Sequence, residues 1–144
     1  MKDKDLKSLI IIFKAYQSLQ KSVKHSLVGT DINVNEFTTM EALYTKGELT
    51  TQAIIDVILI PNSSMTYVLE ILHKKGYIDR KKKPEDKRVQ IISLTKKGRE
   101  IFEDIYARHF DYMRAIFDVI DIKEEKILQD LLKKVGKKAE EALK

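Results

Sequence analysis

Asn62, Ser63, Ser64, Thr66 and Tyr67 form one run in which every named side chain can hydrogen-bond. They follow Pro61 and open an apolar repeat, Met65, Val68, Leu69 and Leu72, that keeps helical spacing until Gly76. Small polar groups on the first turn of a helix can reach base edges in a DNA major groove, and the helix N-terminus itself favours a phosphate. Asn62 or Ser63 can equally cap the helix, a role compatible with phosphate contact. Just downstream lie Lys81, Lys82, Lys83, Asp86, Lys87 and Arg88. The lysines can neutralise phosphates, and Arg88 suits a narrow minor groove. Asp86 and Arg88 stand two apart, so in an extended chain they share a face and the carboxylate can pre-orient the guanidinium.

The charge map puts these groups in one patch. The chain has 144 residues, with 27 Lys and Arg against 22 Asp and Glu, a net charge of +5. Residues 73–88 hold 8 of the basic and 3 of the acidic side chains, which leaves the remainder near neutral. A focused basic patch is the footprint of a polyanion binder. A lysine run alone is usually a solvated face. Placed after paired helices and between two strand-like runs, it reads as a binding element.

Six helices and a hairpin must hold these residues. Leu6, Leu9, Ile10, Phe13, Tyr16, Leu19, Val23 and Leu27 predict an amphipathic first helix that stops at Gly29. Asn33 can cap a second while Glu36 reaches back, with Phe37, Met40, Leu43 and Tyr44 as its buried stripe and Gly47 as its end. Thr50 or Thr51 can cap a short third helix carrying Ile54, Ile55, Ile58 and Leu59 inward, and the Ile60-Pro61-Asn62 turn leads into the fourth. Tyr77–Arg80 and Val89–Leu94 read as strands around a polar loop, Lys81 to Arg88, longer than a two-residue turn and so expected to be mobile when unbound. Thr95 caps a long fifth helix, and Asp121 with Glu124 forms a capping box for the sixth.

The expected fold is mainly α, a winged helix-turn-helix in the order α-α-α-α-β-β-α-α. Residues 34–94 would be the DNA-binding lobe, and 1–29 with 95–144 a helical dimerisation region. The apolar stripes of the terminal helices exceed what the small lobe can cover, and a second copy offers the matching surface.

Other chemistries find no footing. No nucleophile-elbow, P-loop, dinucleotide-binding or HExxH pattern occurs, and His25, His73 and His109 are far apart in sequence. Acidic pairs such as Glu124–Glu125 read as solvated helix faces. Neither catalysis nor a metal or cofactor is expected. Zero cysteines exclude a disulfide framework, a thiolate zinc site, an iron–sulfur cluster and any thiol switch. No apolar run is long enough to span a membrane, and the charged N-terminal residues do not read as a signal peptide, so the cytoplasm is the expected compartment.

From Asp86 through Arg88 to Leu94-Thr95-Lys96-Lys97-Gly98 the sequence resembles the D-x-R…LT-x-x-G signature of the MarR (multiple antibiotic resistance regulator) family. Upstream, Asn62–Thr66, Leu69, Leu72, Lys75–Ile78 and Arg80 resemble that family's recognition helix and first wing strand, and the helix order matches along the whole chain. The resemblance implies a homodimer gripping a pseudo-palindromic operator in double-stranded DNA, most often as a repressor. It assigns Asp86 and Arg88 to the wing pair, and Ser63, Ser64 and Thr66 to recognition-helix contacts. Tyr67 stands where many members carry arginine. Many members release DNA when a small aromatic or anionic effector binds between the lobes. Phe13, Tyr16, Phe37 and Tyr44 are the aromatic candidates for such a site here, with plain core packing as the alternative. The rival functional reading is a winged-helix protein-interaction module that does not bind specific DNA.

Overall fold

The computed structural model describes residues 4–58 and 62–144, excluding the side chains of Asn62 and Ser63. Its elements are α1 (Lys7–Ser26), α2 (Val34–Lys46), β1 (Leu49–Thr50), α3 (Thr51–Ile58), α4 (Asn62–Lys74), β2 (Ile78–Lys83), β3 (Asp86–Leu94), α5 (Lys96–Phe117) and α6 (Ile122–Glu141). The turn expected over Ile60-Pro61-Asn62, and Leu59 before it, falls largely outside the described residues.

Local hydrogen bonding starts these helices where the sequence placed the caps. The Asn33 side chain accepts from the Glu36 N–H at 2.8 Å, Thr50 Oγ1 from the Ala53 N–H at 3.1 Å, and Thr95 Oγ1 from the Gly98 N–H at 2.9 Å. Asp121 and Glu124 form a full capping box. The reciprocal bond expected of Glu36 is not made. Its carboxylate is buried and paired with Lys75 instead, because a charge so placed gains more from an ammonium than from one cap N–H.

The sheet departs from the expected hairpin in two ways. First, β1 adds a third strand, pairing Leu49 with Ile92 and Thr50 with Ile91, so the antiparallel order is β1-β3-β2. A two-residue strand has no periodicity to read; its partner defines it. Second, the wing strands run on through the lysines. Ile78 faces Leu94, Lys82 faces Gln90 and Lys83 faces Asp86, leaving only Pro84 and Glu85 as the turn. The long polar loop is thus a two-stranded ribbon. Backbone pairing tolerates charged side chains wherever both faces meet water, and that defeats a reading based on alternation.

Phe37, Met40, Leu43, Ile54, Met65, Val68, Leu69, Leu72, Ile78 and Ile92 form one buried core, joined by Phe102 and Ile105 from α5. Tyr44, expected in the buried stripe of α2, is 37% exposed. It sits at the edge of the stripe, where its ring packs on Phe102 and lies under Arg99. Residues 1–109 and 110–144 make two compact units. In the second, Arg114 bonds Asp118 at 2.9 Å and Glu125 at 2.6 Å, stitching the end of α5 to α6. Among the described residues no helix is long and apolar enough to cross a membrane.

Candidate nucleic-acid interface

Helix α4 turns Met65, Val68, Leu69 and Leu72 into the core. That anchoring leaves Thr66 and Tyr67 in solvent and Ser64 half-buried. Asn62 and Ser63 open the same helix, but their side chains lie outside the described residues. Glu70 and Lys74 continue the exposed face as an i,i+4 pair at 3.5 Å. At the exit Gly76 takes φ +79°, a left-handed conformation that glycine adopts without strain, and the chain turns directly into β2.

The wing presents Lys81, Lys82, Lys83 and Lys87 on its two strands. Asp86 and Arg88 meet as their spacing predicted. Arg88 Nε donates to Oδ1 at 3.0 Å and Nη2 to Oδ2 at 3.1 Å, while the Arg88 backbone N–H adds a third bond to Oδ1. These bonds from Arg88 hold the Asp86 carboxyl below its ordinary range, and Asp86 in turn raises Arg88. The arginine side chain is nevertheless 91% exposed. It is a cation fixed in direction and open to solvent, the form required of a group that must enter a groove.

A hollow of about 580 Å³ lies at the root of the wing, lined by Thr50, Thr51, Gln52, Lys83, Arg88, Val89 and Gln90. From the sequence Thr51 stands only as a candidate helix cap, and Gln52 and Gln90 carry no binding role. The pairing of β1 with β3 brings them beside Arg88, and no local pattern announces that pairing. Two cationic side chains among hydroxyls and amides suit a phosphate or another anion.

The aromatic candidates separate. Phe37 is buried, stacks on Phe102 at 5.5 Å and contacts the His109 ring at 4.6 Å. Tyr44 lines a cavity of about 240 Å³ with Phe102, Glu103, Tyr106 and Ala107. Phe13 and Tyr16 stand exposed on α1. His109 also bonds Ser26 across 2.8 Å. Ser26 Oγ spends its proton on the Val23 carbonyl at 2.6 Å, so His109 Nδ1 is the donor of that bond. Burial pushes His109 below its ordinary value and favours the neutral ring.

Known proteins share the sequence pattern and the fold of this chain. The family model for the MarR family matches residues 32–89. The chain is 33% identical over 141 residues to the HTH-type transcriptional regulator MhqR of Bacillus subtilis, spanning 98% of this chain and 97% of the relative. A mutant MarR from E. coli complexed with operator DNA matches at TM-score 0.79 and 25% identity, over 92% of this chain and 99% of that one. NadR in complex with 4-hydroxyphenylacetate matches at TM-score 0.74 and 25% identity, over 88% of this chain and 89% of that one.

Proposed function

The chain belongs to the MarR family of transcriptional regulators, and from that premise we propose a cytoplasmic homodimeric repressor that reads a pseudo-palindromic operator and answers to a small effector. The observation that carries the DNA reading is the Asp86–Arg88 pair, three hydrogen bonds that aim an otherwise exposed cation. Arg88 enters the minor groove, the wing lysines hold phosphates, and Ser63, Ser64, Thr66 and Tyr67 face the major groove with Asn62 at the helix N-terminus.

Dimerisation rests on α1 and α6, two helices with apolar faces and no buried residue in either. The effector is a small aromatic or anionic molecule. Tyr44 on its cavity with Phe102 and Tyr106 supports that class, as does the 4-hydroxyphenylacetate held by NadR. Transcriptional control, not catalysis, is the role.

The test is selection of bound fragments from random duplex DNA by the purified chain. A two-fold site with half-sites about 10 bp apart is expected, since two symmetric recognition helices must meet one face of the duplex. Affinity should fall roughly 10³–10⁵-fold between 50 and 200 mM salt if six to ten phosphates are neutralised. A flat salt dependence overturns the reading. Arg88→Ala should weaken binding about 10–100-fold with the thermal midpoint unchanged; unaltered affinity removes Arg88 from its role.

A further inference from the structure

Among the described residues of the first unit, one ion pair joins a buried carboxylate to a half-buried ammonium, and DNA contact does not explain it. Glu36, in the first turn of α2, has a side chain 5% exposed, and Lys75 Nζ meets it at 2.6 Å. Lys75 stands at the exit of the recognition helix, its N–H still bonded to the Ile71 carbonyl at 3.0 Å. The same ammonium donates to the backbone carbonyl of Asp31, in the segment joining α1 to α2. The Asp31 carboxylate accepts from the Tyr77 hydroxyl at 2.9 Å, and Tyr77 leads into β2. Burial, and then the Asp31 carboxylate, push the Tyr77 phenol above its ordinary value, which keeps it a donor. From the other side Lys97 of α5 donates to the Lys75 carbonyl at 3.3 Å and lies over the Tyr77 ring.

The bonds therefore converge from five places: the α1–α2 segment, the start of α2, the exit of α4, the entry to the wing and the first turn of α5. Stability alone does not require such a pair, because apolar residues of similar volume can often replace a buried one with little loss. What an ion pair adds is direction. It fixes one geometry where apolar packing accepts several.

We propose that Asp31, Glu36, Lys75 and Tyr77 form a positioning latch, which sets the angle of the recognition helix against the segment leading from α1. Because α1 carries a bare apolar face for self-association, the latch sets the distance between the two recognition helices of a dimer, and hence the operator spacing the protein accepts. The inference rests on the dimeric reading above. None of the four residues needs to touch DNA.

The test uses duplexes selected by the wild-type chain, then rebuilt with one or two base pairs added to or removed from the centre. Lys75→Met strands Glu36 as a buried charge and can unfold the chain, so the working variant is the double substitution Asp31→Ala with Tyr77→Phe. That pair of changes leaves Glu36–Lys75 intact. The double variant is expected to keep the wild-type salt slope and its affinity for the parent duplex within about threefold, while the penalty for altered spacing shrinks by about tenfold, the worth of one to two net hydrogen bonds. A merely structural role would lower affinity equally for every spacing, and that result overturns the latch, as does an unchanged spacing preference. Selection of no two-fold site by the wild type is a different failure. It overturns the dimeric reading and takes the latch with it.

Discussion

In α2, Phe37, Met40 and Leu43 are 2%, 0% and 1% exposed; in α6, Ile127, Leu131 and Val135 are 58%, 55% and 57% exposed. Both helices repeat apolar residues at three and four, and by that criterion they are alike. The difference lies in what the rest of the chain offers. Helices α3, α4 and α5 and the sheet bring complementary stripes onto α2, while no residue of α6 is buried. Periodicity states that a face will be covered. It does not state by what.

The comparison breaks most sharply with charge placed on the bare face. Leu131→Glu with Val135→Glu should leave the monomer folded, because those positions already meet water. Uncompensated charge in an interface should weaken self-association by roughly 10²–10⁴-fold, an effect seen by sedimentation across a dilution series. If the double variant sediments as the wild type does, a second copy does not cover this face. Next in size is Ile54→Ala, in the core at 0% exposure, which should cost about 2–5 kcal/mol in urea unfolding. The two variants should differ in kind as well. The core loss is independent of protein concentration, whereas stability gained through assembly rises with it.

Two helical glycines sharpen the contrast. A Cβ at Gly98 would lie 2.0 Å from the Tyr77 carbonyl oxygen and 2.8 Å from its carbon, both backbone atoms. The first turn of α5 presses on that strand entry, and Thr95 donates its N–H to the same carbonyl at 3.0 Å. Gly98→Ala should therefore lose about 1–3 kcal/mol or more, read as a lower melting temperature. At Gly136 in α6 a Cβ meets nothing within 4 Å. Gly136→Ala should raise stability by up to about 1 kcal/mol through helix propensity alone. A loss there instead would reveal a surface close to α6 that a lone chain does not contain.

Legibility followed sequence distance. The caps at Asn33, Thr50, Thr95 and Asp121 and the Asp86–Arg88 pair were readable because each involves residues two or three apart, where backbone geometry settles the contact. Glu36 was misread for the complementary reason. Its local pattern matched a capping box, yet its partner Lys75 stands 39 positions away and becomes a neighbour only after the core forms. β1 and the hollow beside Arg88 were hidden in the same way, since strand pairing across a fold leaves no mark in a two-residue window. The wing lysines were assigned to a loop because charge masked an extended backbone.

The smallest effect concerns His109, which joins the last turn of α1 to α5 through Ser26. Its folded-state value is lowered by burial, so between the folded and unfolded values the unfolded chain binds more protons. Stability is then fully present above an unfolded value of about 6.5 and falls as pH drops below it. Glu41 acts with the opposite sign at lower pH. Burial raises its carboxyl, so protonation there favours the folded chain. Urea midpoints from pH 7.5 to 5 should decline for the wild type and decline less for His109→Gln, which keeps a donor for Ser26 without the titrating ring. The difference between the two curves isolates the histidine from the carboxylates. Equal curves would mean that the ring takes up protons alike in the folded and unfolded chain, so that burial does not shift it.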